Sequence, residues 1–245
     1  MGQTRRGANP GSLPLTGERT IPGVEAENYW FRRHEAAYRF AAGRVRGPVL
    51  DVGSGEGYGA AMLASTGIST IAAELDEPAA RHAASTYPAI RVTRADACRL
   101  PFKPGAFGGV LAMQVLEHLW CPEDFVAAVR NLLPTGGAFV LTTPNRLTFP
   151  PDGVRNPFHT HEYTAEELRA LLGRSFRNVE LLGVRPGLYL RSLDVLAEGS
   201  LQHLLMRTPF EELPSKLRTG VGMVRPGHFT VGDTEGSLDL LAVAS

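Results

Sequence analysis

The segment 48–60, PVLDVGSGEGYGA, restricts the possible folds of this chain more than any other stretch. Its apolar start, residues 49–52, predicts a strand buried on both faces, and residues 60–64 predict a helix. Four glycines alternate through the connection, at Gly53, Gly55, Gly57 and Gly59. Glycine leaves the backbone open where a ligand must approach closely. Because the free N–H groups and the positive end of the helix face the turn, the segment predicts a ligand-binding strand, turn and helix.

Two ligand classes use such a turn, and the glycine spacing separates them. A dinucleotide fingerprint can begin only at Gly55, and it then places the acid Glu56 in a loop that must receive pyrophosphate. The other register begins at Asp51 and runs through Gly53 and Gly57 as Asp-x-Gly-x-Gly-x-Gly. That order resembles motif I of class I S-adenosylmethionine-dependent methyltransferases, whose cofactor carries a ribose and an ammonium group instead of pyrophosphate. A glycine-rich turn without any ligand is the remaining alternative.

Acidic residues follow the next two predicted strands. Glu74 and Leu75 come about 20 residues after the turn, where an acid can accept hydrogen bonds from ribose hydroxyls. Asp96 and Ala97 follow the third strand, where a carboxylate can accept from an exocyclic amine and a backbone N–H can serve a ring nitrogen. We therefore predict Glu74 as the ribose ligand, Asp96 and Ala97 as adenine contacts, and Leu75 as a further cofactor contact.

The rest of the central region alternates strands and helices, as a parallel α/β sheet does. The pieces LPFKPGAFGGVLAMQVLEHL and LLPTGGAFVLTTPN extend the resemblance to class I methyltransferases over residues 48–184. The resemblance implies a Rossmann-like sheet of seven strands, six parallel and the seventh antiparallel, with helices on both faces. Residues 238–244 are the best candidate for the seventh strand. The resemblance also places Gln114, after the fourth strand, beside the methionine end of S-adenosylmethionine.

Four regions follow from this pattern. Residues 1–15 predict a mobile tail, and residues 16–46 an N-terminal helical cap. The resemblance implies that residues 47–184 and 237–245 form the methyltransferase core. Residues 185–236 are too long for a hairpin loop and predict a helical insertion that binds substrate or forms a subunit interface.

The cap helix, predicted over residues 25–42, carries aromatic residues at spacings of three and four. It must lie over the sheet or over its carboxyl edge. Core packing is one role for this face, and closure of the cofactor or substrate pocket is the other. On the second interpretation we assign Arg33 as a cofactor contact, with Tyr29, Trp30 and His34 beside it.

A closer resemblance covers nearly the whole chain. The segments GERTIPGVEAENYWFRRH and NPFHTHEYTAEEL resemble actinobacterial enzymes thought to methylate sugars, and mycobacterial methyltransferases associated with methylglucose lipopolysaccharide synthesis in particular. The resemblance implies O-methylation of a sugar hydroxyl in a polysaccharide or glycolipid precursor by in-line transfer. The alternatives are an O-methyltransferase for another small molecule such as a natural product or quinone, a nicotinamide-dependent oxidoreductase, and a binding module without activity.

A sugar hydroxyl has a high pKa, so a general base can add on the order of 10² to 10⁴-fold to its methylation. We predict His118 as this base ahead of His159, with Glu117 orienting the ring of His118 and Asp152 assisting His159. His82 is predicted to face solvent on an outer helix. No compact cluster demands a metal, and the nearest candidate is the run HTHE at 159–162, so no metal site is predicted.

Composition excludes several other partners. The chain has 25 basic and 25 acidic residues, so no overall field favours nucleic acid. No apolar run approaches about 18 residues, which predicts no membrane insertion. Cys98 and Cys121 lack C-x-x-C spacing and are predicted to be free thiols in a reducing, cytoplasmic compartment. The expected partner is a sugar or another small-molecule acceptor, and the oligomeric state is left open, with a homodimer as one arrangement.

Overall fold

The computed structural model of the chain describes residues 20–149 and 156–245. The predicted tail at 1–15 and the predicted assistant Asp152 lie outside these ranges. Within them, all named strands belong to one eight-stranded sheet. The strands are β1 (Val49–Val52), β2 (Thr70–Glu74), β3 (Arg91–Arg94), β4 (Gly109–Met113), β5 (Ala138–Pro144), β6 (Val179–Pro186), β7 (Phe229–Gly232) and β8 (Asp239–Ala244).

The sheet order is β3-β2-β1-β4-β5-β8-β6-β7. Neighbouring strands from β3 to β5 pair in parallel, and β8 enters antiparallel between β5 and β6. The predicted α/β sheet, with six parallel strands and an antiparallel strand near the end of the chain, is confirmed. The carboxyl ends of β1 to β4 meet at one edge, where open parallel sheets bind ligands.

The predicted count of seven strands is one too low. β7 lies inside the segment predicted as a helical insertion and pairs antiparallel with β6, with Arg185 opposite Thr230. Sequence patterning missed it because the strand has only four residues, FTVG, and lies at the sheet edge with one partner. The insertion is therefore a mixed element that extends the sheet as well as covering it.

Helices cover both faces of the sheet. They are α1 (Asn28–Ala42), α2 (Tyr58–Ser65), α3 (Glu77–Thr86), α4 (Pro122–Leu132), α5 (Ala165–Leu172), α6 (Leu188–Leu196), α7 (Leu201–Arg207) and α8 (Ser215–Gly222). On one face, α4 and α5 pack against strand residues such as Leu50 and Leu141. On the other, α1, α6 and α8 pack against Val49, Val140 and Leu241. Successive side chains along a strand point to opposite faces, so each central strand feeds both cores.

The predicted cap helix α1 is part of the sheet-covering layer and is tied to the insertion. The Asn28 amide donates to the carbonyl oxygens of Val221 (2.8 Å) and Val224 (3.2 Å), just before and after the end of α8. The buried Arg33 guanidinium pairs with Asp239 at the start of β8 and donates to the Gln202 side chain at 2.8 Å. The cap, the insertion and the last strand therefore hold one another in place.

Two further features concern the loops and the membrane. Cys98 and Cys121 form a disulfide with their Cα atoms 6.5 Å apart, so the prediction of free thiols is wrong. The fold brings the short turn Ala97–Arg99 beside the residue that precedes α4, a proximity that the sequence separation of 23 residues does not reveal. No helix within the described ranges is long and apolar enough to span a bilayer.

Candidate active site

The glycine turn after β1 has the backbone conformation that its sequence predicts. Gly53, Gly55 and Gly57 have φ angles of +64°, +53° and +83°, in the left-handed region that favours glycine. A Cβ on Gly53 would lie 2.5 Å from Val115, and one on Gly57 would lie 2.7 Å from Ala83. A Cβ on Gly55 would meet no atom within 4 Å. Gly53 and Gly57 are therefore required by packing, whereas Gly55 borders open space.

That open space is a cavity of about 690 Å³ along the carboxyl edge of the sheet. Most of the predicted cofactor contacts line it: Gly53, Gly55, Glu74, Leu75, Asp96, Ala97 and Gln114. Asp51, Gly57 and Arg33 are absent from its lining, so the structure does not bring these three to the cavity surface. The acids after β2 and β3 meet the glycine turn in one place, as the sequence predicts.

Glu74 ties the glycine turn to the end of β2. Its carboxylate accepts the Gly55 N–H at 2.7 Å and the Asp76 N–H at 2.9 Å. Each carboxylate oxygen has lone pairs for a further donor, so the side chain can also accept from ligand hydroxyls. Glu74 thus fixes the turn and remains suited to its predicted role with a ribose.

Asp51 supports the turn from behind. The residue is fully buried, and the Tyr38 hydroxyl lies 3.1 Å from both of its carboxylate oxygens. Burial raises the pKa of Asp51 to about 7, against the hydrogen bond from Tyr38, which lowers it. The same Tyr38 ring occupies the space that a Cβ on Gly59 would need, at 2.0 Å. The fourth glycine therefore serves the packing of α1 on α2 and not the ligand.

Ser54, Thr20 and Tyr58 line this cavity without having been predicted to do so, whereas His34, also in the lining, was predicted beside the pocket. Ser54 is buried, and its hydroxyl has no hydrogen-bond partner among the described residues. Thr20 lies 3.3 Å from His34 Nδ1 and 3.1 Å from the Tyr58 hydroxyl, forming a polar cluster at one side. Burial lowers the pKa of His34 to about 4, so its imidazole is neutral. Ser54 is embedded in the motif itself, and only its buried, unpaired hydroxyl distinguishes it as a ligand-facing group.

These observations fit S-adenosylmethionine. The open backbone at Gly55 provides room for a ligand, and the buried Ser54 hydroxyl lacks a partner that a bound group would supply. Glu74 and Asp96 provide acceptors for hydroxyl and amine donors on the same cavity wall. The acids that a pyrophosphate would repel are compatible with a cationic cofactor.

The predicted bases His118 and His159 lie side by side. Their ring centroids are 5.0 Å apart with the ring planes at 84°. The Nδ1–H of His118 donates to the Phe158 carbonyl at 3.0 Å, and the Nδ1 of His159 lies 2.9 Å from a carboxylate oxygen of Glu162. Burial lowers the pKa of His159, with the Glu162 carboxylate acting in the opposite direction. Each bond at Nδ1 leaves Nε2 as the nitrogen that can accept.

Glu117 and His82 differ from their predicted roles. Glu117 does not orient His118: one carboxylate oxygen accepts from the Thr143 hydroxyl at 3.0 Å, and the other has no partner among the described residues. Burial raises the pKa of Glu117 to about 8. His82 does not point freely into solvent, because its Nε2 lies 3.1 Å from Glu56. Sequence distance hides both contacts.

A second cavity, of about 310 Å³, adjoins the first. It shares His118 and Gln114 with the first cavity and is also lined by residues from α1, the loop after β5 and α7: Trp30, Arg33, Phe149, His159, Leu205 and Met206. Glu117, His118 and His159 bring one possible donor atom each to within 4.8 Å of one another. His118 therefore lies where the larger cavity meets a smaller, partly apolar one of the kind that small ligands occupy.

Comparison with known proteins agrees with this geometry. A family model described as a methyltransferase domain matches residues 50–141. A protein of Mycolicibacterium smegmatis described as a "probable S-adenosylmethionine-dependent methyltransferase" is 40% identical over 251 residues, covering 97% of this chain and 96% of that protein. A protein of Mycobacterium tuberculosis with the same description is 39% identical over 249 residues, covering 97% and 91%.

More distant similarities are partial or concern the fold alone. A ubiquinone biosynthesis O-methyltransferase of Roseobacter denitrificans is 37% identical over 102 residues, covering 40% of this chain and 41% of that protein. The crystal structure of a SAM-dependent methyltransferase from Thermotoga maritima aligns with a TM-score of 0.59 at 18% identity, covering 88% and 92% of the two chains. A TehB-like SAM-dependent methyltransferase from Corynebacterium glutamicum aligns with a TM-score of 0.53 at 15% identity, covering 90% and 97%.

Proposed function

This chain belongs to the S-adenosylmethionine-dependent methyltransferases, and from that premise we propose that it methylates a hydroxyl oxygen of a sugar in a polysaccharide or glycolipid precursor. The cofactor is S-adenosylmethionine. Gly55, Ser54, Glu74 and Asp96 would hold it in the larger cavity. When bound, it supplies a methyl group on a sulfonium, and the electron pair of the breaking C–S bond goes to sulfur as an acceptor oxygen takes the methyl.

One observation carries the proposal for the acceptor. Two segments resemble sugar-modifying enzymes, and their described parts, 20–34 and 156–168, come together at the second cavity through Trp30, Arg33, Asn156 and His159. Residues far apart in the chain thus build the wall beside the cofactor cleft. The segments that carry the resemblance therefore line a cavity next to the one proposed for the cofactor, which supports placing the acceptor there.

The chemistry of the second cavity supports a polyhydroxylated ring. Trp30 and Phe149 offer apolar surface, while His118, His159 and Glu117 offer polar atoms at one end. A small number of polar groups in a largely apolar pocket fixes the orientation of a ligand. A sugar presents C–H groups on its faces and hydroxyls on its rim, so it can use both kinds of surface.

The protein promotes the transfer chiefly by alignment. Holding two reacting groups in line is worth roughly 7 to 11 kcal/mol in well-oriented systems. Gln114 is in the left-handed region, at φ 58°, and its amide donates to the Thr142 hydroxyl at 3.1 Å, which fixes the wall that both cavities share. The acceptor hydroxyl must also lose its proton, and the pair His118 and His159 supplies the activating groups.

The experiment is transfer of a labelled methyl group from S-adenosylmethionine to a panel of glycosides, oligosaccharides and small phenols, read by mass spectrometry. Methylated glycoside with no methylated phenol would support the proposal. A phenolic acceptor is the second candidate, favoured by the partial similarity to a ubiquinone biosynthesis O-methyltransferase. Transfer to phenols alone would overturn the sugar assignment.

A further inference from the structure

Three side chains from two distant segments of the sequence converge at the junction of the two cavities. Glu117 and His118 lie in the short turn Leu116–His118 after β4, and His159 lies in the loop after β5. Each offers one donor atom, and these atoms lie within 4.8 Å of one another. We propose that Glu117, His118 and His159 bind one divalent transition-metal ion that holds the acceptor oxygen. The acceptor part rests on the proposed function, whereas the ion site rests on the side chains alone.

The two imidazoles are already oriented as metal ligands are in proteins. A ligating histidine usually donates its other ring N–H to a carbonyl or carboxylate, which fixes the tautomer and the ring. His118 Nδ1 has the Phe158 carbonyl at 3.0 Å, and His159 Nδ1 has the Glu162 carboxylate at 2.9 Å. The lone pair of each ring is therefore on Nε2, where that of His159 has the Asn156 amide as its present partner.

Glu117 supplies the independent observation. The residue is 1% exposed, and its Oε1 has no hydrogen-bond partner among the described residues. Its Oε2 accepts from the Thr143 hydroxyl at 3.0 Å, so the side chain is held in place. A buried polar atom without a partner costs about 1 to 3 kcal/mol. A cation between Glu117 and the imidazoles would satisfy that oxygen.

The cluster needs a small contraction to close on an ion. Three donors about 2.1 Å from one ion, at bond angles of about 90° to 120°, are about 3.0 to 3.6 Å apart. Donor atoms up to 4.8 Å apart therefore require rotations that move each of them by up to roughly 1 Å. The side-chain amide of Asn156 must also move away, because its Nδ2 lies 3.2 Å from His159 Nε2 and occupies the lone pair that would bind the ion.

Two imidazoles and one carboxylate suit ions such as Zn²⁺, Fe²⁺ or Co²⁺ better than Mg²⁺ or Ca²⁺, which prefer oxygen ligands. Three protein ligands leave coordination positions open for two neighbouring hydroxyls of a sugar. An ion lowers the pKa of an oxygen bound to it. The hydroxyl proton then passes to water, and the oxygen forms its new bond to the methyl carbon as the C–S bond breaks. His118 and His159 then act as ligands, in place of their predicted role as general bases.

The test is direct metal binding by the full-length chain after treatment with a chelator. Co²⁺ is the spectroscopic probe, since its visible absorption reports imidazole coordination, and Zn²⁺ titrated by calorimetry gives stoichiometry and affinity. We expect one equivalent of Zn²⁺ to bind. Glu117→Gln and His159→Gln should each weaken it at least 10-fold, as changes at metal sites do. His161→Gln is the matched control, because this nearby imidazole pairs with Glu167 outside the cluster.

S-adenosylhomocysteine binding shows whether each variant is folded. Absence of stoichiometric binding to the wild-type chain would overturn the site, as would equal affinity in wild type, Glu117→Gln and His159→Gln. The outcome for the acceptor is separable. Methylation of a glycoside that is unaffected by chelator would leave the proposed function standing and reject the ion. Stoichiometric Zn²⁺ binding with no methylated glycoside would support the ion site and reject the proposed sugar acceptor.

Discussion

The guanidinium of Arg33 donates hydrogen bonds from Nε and Nη2 to the two carboxylate oxygens of Asp239. This pair joins the cap helix to the last strand across 206 residues of sequence. Both side chains are almost fully buried. The guanidinium also donates to the side-chain oxygen of Gln202 at 2.8 Å and to the Leu238 carbonyl at 2.9 Å. Arg33 was predicted to contact the cofactor, but the structure places it in a network that fixes one wall of the second cavity.

Removal of one partner of this pair should destabilise the whole protein. Asp239→Ala leaves a buried guanidinium without its counter-ion, and such losses cost about 3 to 5 kcal/mol. Urea denaturation measures the change. Glu180→Ala, which breaks an exposed pair with Arg44, is the control and should cost less than about 1 kcal/mol. Equal effects of the two substitutions would contradict the structural role of Arg33.

Glu74→Gln should weaken cofactor binding while the chain still folds. The carboxylate accepts two backbone N–H groups and faces the larger cavity. Charged hydrogen bonds are worth about 1.5 to 3 kcal/mol, which corresponds to a 10- to 150-fold loss of affinity. Calorimetry with S-adenosylhomocysteine gives the value, and Glu123→Gln on the outer surface serves as the control. An affinity within twofold of wild type would remove Glu74 from the binding site.

Gly55 and Gly53 should respond differently to a side chain. Gly55→Val places its branches in open cavity space, so we expect loss of cofactor binding with a modest penalty of about 1 to 2 kcal/mol for the left-handed backbone. Gly53→Val meets Val115 and should lower stability further. Thermal unfolding and ligand titration on both variants test the contrast. Retained binding by Gly55→Val would show that the turn is not the site.

Asp51 should make stability fall as pH rises. Its pKa is raised from 3.8 to about 7 by burial, so between these values the native state keeps a proton that the unfolded chain has lost. Asp51→Asn removes this proton uptake and still accepts from Tyr38. Between about pH 4 and pH 7 the variant should lose less stability than wild type, by roughly 2 to 4 kcal/mol. Urea denaturation of both proteins without ligand at several pH values measures the difference. Parallel pH profiles would contradict the raised pKa.

His118→Ala and His159→Ala should each reduce methyl transfer on the order of 10²-fold or more, whichever way the pair activates the hydroxyl. Cofactor affinity should stay within a few-fold of wild type, since Glu74 and Asp96 remain on the cavity wall. Single-turnover rates separate the two quantities. His161→Ala should keep near-normal turnover. Near-normal rates for both cavity variants would assign catalysis to alignment alone.

Several of the residues that line the larger cavity could be predicted from the sequence because each of them is indicated by its immediate neighbours in the chain. A glycine at positive φ and an acid at a strand end are recognisable from spacing, and Gly55, Glu74 and Asp96 meet where the sheet brings them. The second cavity, where we propose that the acceptor binds, depends on contacts between distant segments. Nothing near His118 in the chain indicates that His159 will lie against it, and nothing near Arg33 indicates Asp239. The disulfide escaped prediction for the same reason, whereas β7 was missed because it is a four-residue strand at the sheet edge.

The junction of the two cavities has a consequence for the order of events in a catalytic cycle. Thr20, His34, Gln114 and His118 are the lining residues that both cavities have in common within the described ranges. Most of the lining of each cavity therefore belongs to that cavity alone. If cofactor and acceptor occupy the two cavities as proposed, neither ligand has to build the site of the other, and we expect the two to enter in either order.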